Sequence, residues 1–109
     1  MLEALLGNGT AEKVLLYTLV HRQAYARQLA DAFAMPVSVV QKQLIRLEGG
    51  NVLVSRMVGR TRVFELNPSY AFAEELRALL RRALEFLPTR ERAPYEPKRT
   101  RPRASGKPE

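Results

Sequence analysis

Two short apolar stripes separated by a proline constrain the fold of this chain more than any other feature. Both stripes have the three- and four-residue spacings of a helix with one buried face. The first consists of Ala26, Leu29, Ala30 and Phe33. The second consists of Val37, Val40, Leu44 and Leu47. Proline disfavours the α conformation in the residue before it and can open a new helix. Met35-Pro36 therefore predicts helices over about 24–34 and 37–48, joined by a tight turn.

Breaker residues and β-branched runs divide the rest of the chain. A glycine cluster ends before Thr10, a good N-cap, and predicts a helix over 11–20. Gly49-Gly50 predicts that helix 37–48 ends at a glycine in the left-handed conformation. The β-branched runs 52–58 and 63–66 predict a hairpin with 59–62 as its connection, and Asn67-Pro68 predicts the start of a last helix over 69–87. The expected fold class is mainly α with a small β-hairpin (α+β).

Positive charge is concentrated in two segments of the 109-residue chain, which has a formal net charge of +7. Residues 21–62 hold seven basic residues against Asp31 and Glu48, and residues 89–109 hold seven against three. The other segments are nearly neutral. This distribution indicates a polyanionic partner, although a merely soluble basic protein would have the same net charge.

Several classes of protein are excluded by composition. Without cysteine the chain has no disulfide, no thiolate nucleophile and no zinc site built on sulfur. His21 is the one histidine and is interpreted as a surface or capping residue, so no metal or cofactor is expected. The chain shows no carboxylate pair, no Ser/His/Asp set and no phosphate-cradling glycine loop, so we expect no catalytic residues and no enzyme. The longest apolar run, 14–20, is far shorter than the roughly 20 residues of a membrane span, which predicts a cytoplasmic protein.

The helix predicted over 37–48 presents a face suited to the DNA major groove. On a helical wheel its buried stripe leaves five residues on the outer side: Ser38, Val39, Lys42, Ile45 and Arg46. Gln41 and Gln43 lie on the flanks. Amide and cationic side chains pair with base edges and phosphates, and no carboxylate lies on this face before Glu48. An ordinary solvated helix is the alternative interpretation.

The predicted hairpin carries arginines at its tip. Arg60 and Arg62 flank Thr61, and Arg56 lies one strand-length back. Such a loop can follow the phosphate backbone or enter the narrow minor groove, whereas a solubilising turn would need no arginine. The candidate DNA-binding residues are therefore Ser38, Val39, Gln41, Lys42, Gln43, Arg46, Arg56, Arg60, Thr61 and Arg62.

The same segments resemble the winged helix-turn-helix regulators of the ArsR-like and MarR-like group over about residues 10–87. The motifs are Ala26-Arg27-Gln28-Leu29-Ala30, Pro36-Val37-Ser38-Val39-Val40-Gln41-Lys42-Gln43-Leu44, Arg46-Leu47-Glu48, Gly59-Arg60-Thr61-Arg62 and Asn67-Pro68. The resemblance implies a sequence-specific regulator of transcription that binds double-stranded DNA as a homodimer. It places helix 37–48 in the major groove and the wing, 53–66, on an adjacent groove or the backbone. Many ArsR-like proteins sense metals, but without cysteine this one is not expected to.

The last helix has more apolar residues than one small core needs. We predict that it dimerises through Phe72, Leu76, Leu79, Leu80, Ala83 and Leu87, although packing on the first helix is the alternative. A dimer would place two recognition helices about 34 Å apart and predicts an inverted repeat as target.

The segment 89–109 contains four prolines and little that could be buried, and we predict that it is a disordered basic tail. The expected domains are thus 1–88, which binds DNA, and 89–109. Two other functions stay open: a winged helix that contacts a protein without specific DNA binding, and RNA binding through the tail. The sequence indicates neither an operator nor an effector.

Overall fold

The computed structural model describes residues 1–96 and follows the predicted order of helix, helix-turn-helix and hairpin. Its α-helices are α1 (Glu3–Leu6), α2 (Gly9–His21), α3 (Ala26–Phe33), α4 (Val37–Gly49) and α5 (Ala73–Glu85). The strands are β1 (Leu53–Val58) and β2 (Thr61–Leu66), and two 3-10 turns, Thr89–Glu91 and Ala93–Tyr95, follow α5. The fold is a winged helix-turn-helix, so the predicted class, mainly α with a β-hairpin, is confirmed.

The predicted turn between α3 and α4 is confirmed. Ala34 adopts the left-handed conformation, with φ 51° and ψ 50°, and its N–H donates to the Ala30 carbonyl. Met35 N–H donates to the same carbonyl at 3.0 Å. Pro36 is the N-cap of α4, with φ −62° and ψ 142°. The extended proline thus forces α3 to end at Phe33 and turns the chain into α4.

Two helix boundaries differ from the prediction because other residues form the caps. Asn8, not Thr10, is the N-cap of α2, and its Oδ1 accepts a hydrogen bond from Ala11 N–H at 2.7 Å. At the end of α4 the left-handed residue is Asn51, with φ 67°, whereas Gly49 is helical and Gly50 has φ −91°. Asparagine is the side chain that most readily replaces glycine in this conformation.

The hairpin turns through two residues, Gly59 and Arg60, and Gly59 has the positive φ of 64° that a side chain would disfavour. β2 therefore begins two residues before the predicted strand. The antiparallel register pairs Leu53 with Leu66 and Val58 with Thr61. Beside β2, Ala24 exchanges two backbone hydrogen bonds with Phe64, of 2.9 and 2.8 Å. These bonds attach the stem of the hairpin to the segment between α2 and α3.

The core surrounds α2. Buried side chains from α2 (Val14, Leu15, Leu16 and Tyr17) pack with those of α3 and α4 (Leu29, Val40, Leu44 and Leu47), the hairpin (Leu53, Phe64 and Leu66) and α5 (Leu80 and Ala83). Thr18 is also buried and donates its hydroxyl to the Val14 carbonyl at 2.7 Å. The helical stripes predicted from the sequence thus form one common core.

The last helix begins four residues later than predicted. Asn67 Oδ1 accepts from Ser69 N–H at 3.0 Å and closes a turn rather than capping a helix. Phe72 is the N-cap position of α5. Three of the predicted dimerisation residues, Leu80, Ala83 and Leu87, are buried in the chain's own core. They are therefore unavailable to a second copy, and their assignment to a dimer interface is wrong.

Residues 89–96 fold back on the core, so the predicted domain boundary at 88 is wrong for this segment. Tyr95 is 8% exposed, and its ring lies 5.6 Å from that of Phe33 between centroids. His21 Nε2 lies 2.9 Å from the Pro94 carbonyl, to which its N–H donates. Burial raises the pKa of the Tyr95 hydroxyl, which stays protonated at neutral pH. The rest of the predicted tail, 97–109, lies outside the described residues.

Within residues 1–96, no helix has the length and apolar character that crossing a membrane requires. The same residues contain no group of three or more histidine or acidic side chains placed to hold a metal ion.

Candidate nucleic-acid interface

The outer face of α4 has the composition that the helical wheel predicts, with one exception. Six of its residues are exposed: Ser38, Val39, Gln41, Lys42, Ile45 and Arg46. Val40, Leu44 and Leu47 on the opposite side are buried against α2 and α3. Packing on one side therefore holds the helix while the other side faces solvent.

Gln43 is the exception, and its predicted place in the DNA-binding face is corrected. Its side chain is 9% exposed. Gln43 Oε1 accepts one hydrogen bond from Asn8 Nδ2 at 3.0 Å and another from Arg46 Nε at 2.9 Å. A buried amide with these partners faces the loop between α1 and α2, so it cannot reach a base edge without breaking both bonds.

Arg46 lies at the edge of α4 that faces α1. Besides its bond to Gln43, it donates from Nη2 to the Leu6 carbonyl at 2.9 Å. The guanidinium is exposed to solvent. Its two acceptors are an amide oxygen and a backbone carbonyl, which do not neutralise its positive charge. The structure thus places Arg46 on the opposite edge of α4 from the hairpin, and Lys42 lies between.

A groove runs between α4 and the hairpin. Its lining includes Arg27 of α3, Gln41 and Ile45 of α4, and Met57, Arg60 and Arg62 of the hairpin. Among residues 1–96 none of these arginines has a carboxylate oxygen within 4.0 Å. Three guanidinium groups therefore line one groove without an acidic partner, which is the arrangement that an anionic ligand would neutralise.

Arg27 was not among the residues predicted from the sequence. It lies in the first turn of α3 and is exposed, whereas Leu29 and Ala30 are buried. A helical wheel applied to α3 as well as α4 would have marked Arg27 as a cation on the outer side of the helix-turn-helix.

A short chain of hydrogen bonds fixes the hairpin to the end of α4. Ser55 donates its hydroxyl to Glu48 Oε2 at 2.5 Å, and Arg62 Nη1 donates to Ser55 Oγ at 3.0 Å. Among residues 1–96, Glu48 is the one carboxylate that lines the groove, and it accepts the hydrogen bond of Ser55 from the hairpin. These two hydrogen bonds hold Arg62 in the lining of the groove.

Arg56 lies on the other face of the hairpin. It pairs with Val63 in the register, whereas Met57 pairs with Arg62. Because successive residues of a strand point to opposite faces, Arg56 faces away from the groove. Its Nη2 donates to Gln23 Oε1 at 3.4 Å. The predicted set is divided: Arg60 and Arg62 line the groove, and so does Thr61, which lies beside the turn although it belongs to the same strand face as Arg56; Arg56 does not line it.

Comparisons with known proteins add little to this geometry. No family model and no curated protein matches the chain. A solved structure of a mutant of ZitR from Lactococcus lactis is similar, with a TM-score of 0.49 and 13% sequence identity. The match covers 77% of this chain and 65% of that chain. The resemblance to the ArsR-like group stays a prediction.

Proposed function

We propose that this protein binds double-stranded DNA in a sequence-specific manner and regulates transcription. The observation that carries the proposal is the groove between α4 and the hairpin, where Arg27, Arg60 and Arg62 have no acidic partner within 4.0 Å in the described part of the chain. This groove adjoins a helix face that is free of carboxylates from Ser38 to Arg46.

The shape of the duplex fits this arrangement. The major groove of B-DNA is about 12 Å wide and admits one helix. With α4 in the major groove, Ser38, Gln41 and Lys42 would face base edges. Glutamine pairs with adenine, and lysine with guanine or a phosphate. The phosphate backbone at the rim of the major groove would run along the hairpin side of the protein groove, near Arg27 of α3 and Arg60 and Arg62 of the hairpin, while the α4 side faces the bases.

The proposal includes a homodimer formed along α5. Phe72, Leu79 and Phe86 are seven residues apart and so form one stripe along the helix. Phe72 and Phe86 are 61% and 65% exposed, and Leu79 is half-buried. This stripe, together with the partly buried Leu76, replaces the wider set predicted from the sequence. A second copy that covers it would exclude two phenylalanines from water.

Binding to selected duplexes at several salt concentrations tests the proposal. Wild-type affinity should fall steeply as salt rises, because each neutralised phosphate releases counterions. The double change Arg60→Ala with Arg62→Ala should weaken all duplexes alike and reduce the salt slope by about 2 per protomer, roughly 1 for each lost phosphate contact and so about 4 for a dimer. Lys42→Ala should instead relax the sequence preference.

Arg56→Ala is the matched control, since it removes an arginine from the same hairpin but from the face away from the groove. It should leave the affinity and the salt slope close to those of wild type. A flat salt response of the wild type, or no duplex binding at low salt, would contradict the proposal.

A protein-binding winged helix is the second candidate, and exposed apolar side chains favour it. Ile45 and Met57, 68% and 52% exposed, line the same groove as the arginines. A protein partner would cover them, and the protein would then show no sequence preference among duplexes. RNA binding through the basic tail concerns residues outside those described.

A further inference from the structure

Ile45 is the most exposed apolar residue of α4, and binding to phosphates and polar base edges does not explain it. It is 68% exposed, on the same face as Gln41 one turn earlier and beside Lys42. Burial of an isoleucine side chain is favourable, and most of this side chain is left in contact with water in the free chain. The groove that Ile45 lines also contains Met57, a second exposed apolar side chain, on the opposite wall.

An apolar side chain in the major groove can gain from one feature of the base edges. The edges of guanine, cytosine and adenine present hydrogen-bond donors and acceptors, whereas thymine also presents a C5-methyl group. Ile45 has no polar atom with which to satisfy a donor or an acceptor. The apolar partner within a duplex that matches it is therefore the methyl group at C5 of a pyrimidine.

We infer that Ile45 recognises this C5-methyl group and makes the interface selective for thymine at one position of each half-site. The inference rests on the proposed function, because it requires α4 to lie in the major groove. It adds the chemical group that is recognised and the residue that recognises it. Since 5-methylcytosine carries the same methyl group, the site also accepts methylated cytosine in place of thymine more readily than unmodified cytosine.

The charges around Ile45 favour DNA over an apolar protein as the occupant of the groove. Lys42 precedes Ile45 on the same face, and Arg27, Arg60 and Arg62 line the groove with it. A partner that covers Ile45 must approach these cations, none of which has a carboxylate within 4.0 Å among residues 1–96. A polyanion with a methyl group on its base edge satisfies both requirements.

Replacement of thymine by deoxyuridine tests the inference, because it removes the methyl group and keeps the hydrogen-bonding edge. In a duplex selected from a random pool, each thymine is replaced in turn, and affinity is measured by fluorescence anisotropy. Wild type should bind about fourfold more weakly when one particular thymine of the half-site is changed, which corresponds to about 0.8 kcal/mol for one buried methyl group. Ile45→Ala should bind the two duplexes equally.

Arg56→Ala is the control, because Arg56 lies on the face of the hairpin that points away from the groove, and this variant should retain the fourfold difference. At the sensitive position, wild type should bind a duplex with 5-methylcytosine more tightly than the same duplex with unmodified cytosine.

Ile45→Ala should fold normally, since it shortens an exposed side chain and alanine favours a helix. Its circular dichroism spectrum checks this.

Two results would overturn the inference and leave DNA binding intact. In the first, wild type binds every deoxyuridine duplex as tightly as its thymine parent, with the same salt slope. In the second, Ile45→Ala keeps the preference for thymine at the same position. If wild type binds no duplex at low salt, the proposed function fails, and the inference fails with it.

Discussion

Gln43 shows how a single side chain defines one edge of the exposed face of α4. Its amide oxygen joins Asn8 to Arg46, and Arg46 in turn binds the Leu6 carbonyl. These bonds connect the loop between α1 and α2 to the middle of α4. The orientation of α4 therefore depends on polar contacts with the start of the chain as well as on its apolar stripe.

Asn8→Ala is expected to lower the free energy of unfolding by about 2 kcal/mol. The loss of an N-cap costs about 1 kcal/mol and the loss of a hydrogen bond about 1 kcal/mol more. Urea denaturation followed by circular dichroism measures the change. Ser38→Ala, in the exposed first turn of α4, is the control and should change stability by less than about 0.5 kcal/mol. Equal midpoints for the two variants would show that the network contributes nothing.

Sequence periodicity predicted most of α4 but not the position of Gln43. Val40, Leu44 and Leu47 are buried and Ser38 and Lys42 exposed, because a helix packed on one side imposes this alternation. Burial of Gln43 depends on Asn8, which lies 35 residues away in the sequence. A helical wheel contains no information about such a partner.

Among the helices and strands, the boundaries that follow from local steric rules are the ones that the sequence predicts correctly. The proline ring at Pro36 sterically disfavours a helical conformation in the residue before it, and the structure contains the expected break between α3 and α4. The hairpin register was harder, because it depends on how many residues form the turn. With a two-residue turn Arg62 belongs to β2 and shares a face with Met57, whereas Arg56 does not. The division of the arginines follows from this register.

The segment 89–96 was missed because its composition resembles that of a disordered chain. Its arginines and prolines outnumber the one residue that packs in the core, Tyr95. The partners of Tyr95 are Phe33 and the region around His21, which are distant in sequence. One buried aromatic residue does not produce a periodic pattern in the sequence.

A chain that ends after residue 88 is expected to be less stable than one that ends after residue 96. Loss of a buried aromatic side chain typically lowers the free energy of unfolding by about 3–5 kcal/mol. Because the shorter chain no longer carries the entropy cost of ordering residues 89–96, the expected net loss is about 2–4 kcal/mol. Thermal and urea denaturation of the two chains measure the difference. Tyr95→Phe in the longer chain keeps the ring and should retain most of the stability. Identical denaturation curves for the two lengths would contradict the assignment of residues 89–96 to the folded domain.

For the whole molecule, the charge pattern in the sequence indicated an anionic partner, but only the fold shows where the cations meet. Residues 21–62 are strongly basic, yet Arg27, Arg60 and Arg62 share one groove and Arg56 faces away from it. The set of residues predicted for the dimer interface also becomes smaller, because Leu80 and Ala83 of α5 are buried in the core of their own chain.

We expect the protein to sediment as a dimer at micromolar concentration. The double change Phe72→Ser with Phe86→Ser should shift it to the monomer, because it removes both exposed aromatic rings from the stripe on α5. Leu5→Ser, which changes a 67% exposed leucine on α1, is the control and should leave the dimer intact. Sedimentation equilibrium distinguishes these outcomes. A wild-type protein that sediments at the monomer mass would contradict the proposed interface.

Because of the way the hairpin is attached, the length of its tip can change independently of the position of α4. Ala24 holds one side of the stem through backbone bonds, and Glu48 holds the other through Ser55. Residues added between Gly59 and Arg60 would therefore lengthen the tip without moving the end of α4. Under the proposed function, the length of duplex covered by the protein would then change in the course of evolution while the bases that it prefers stay the same.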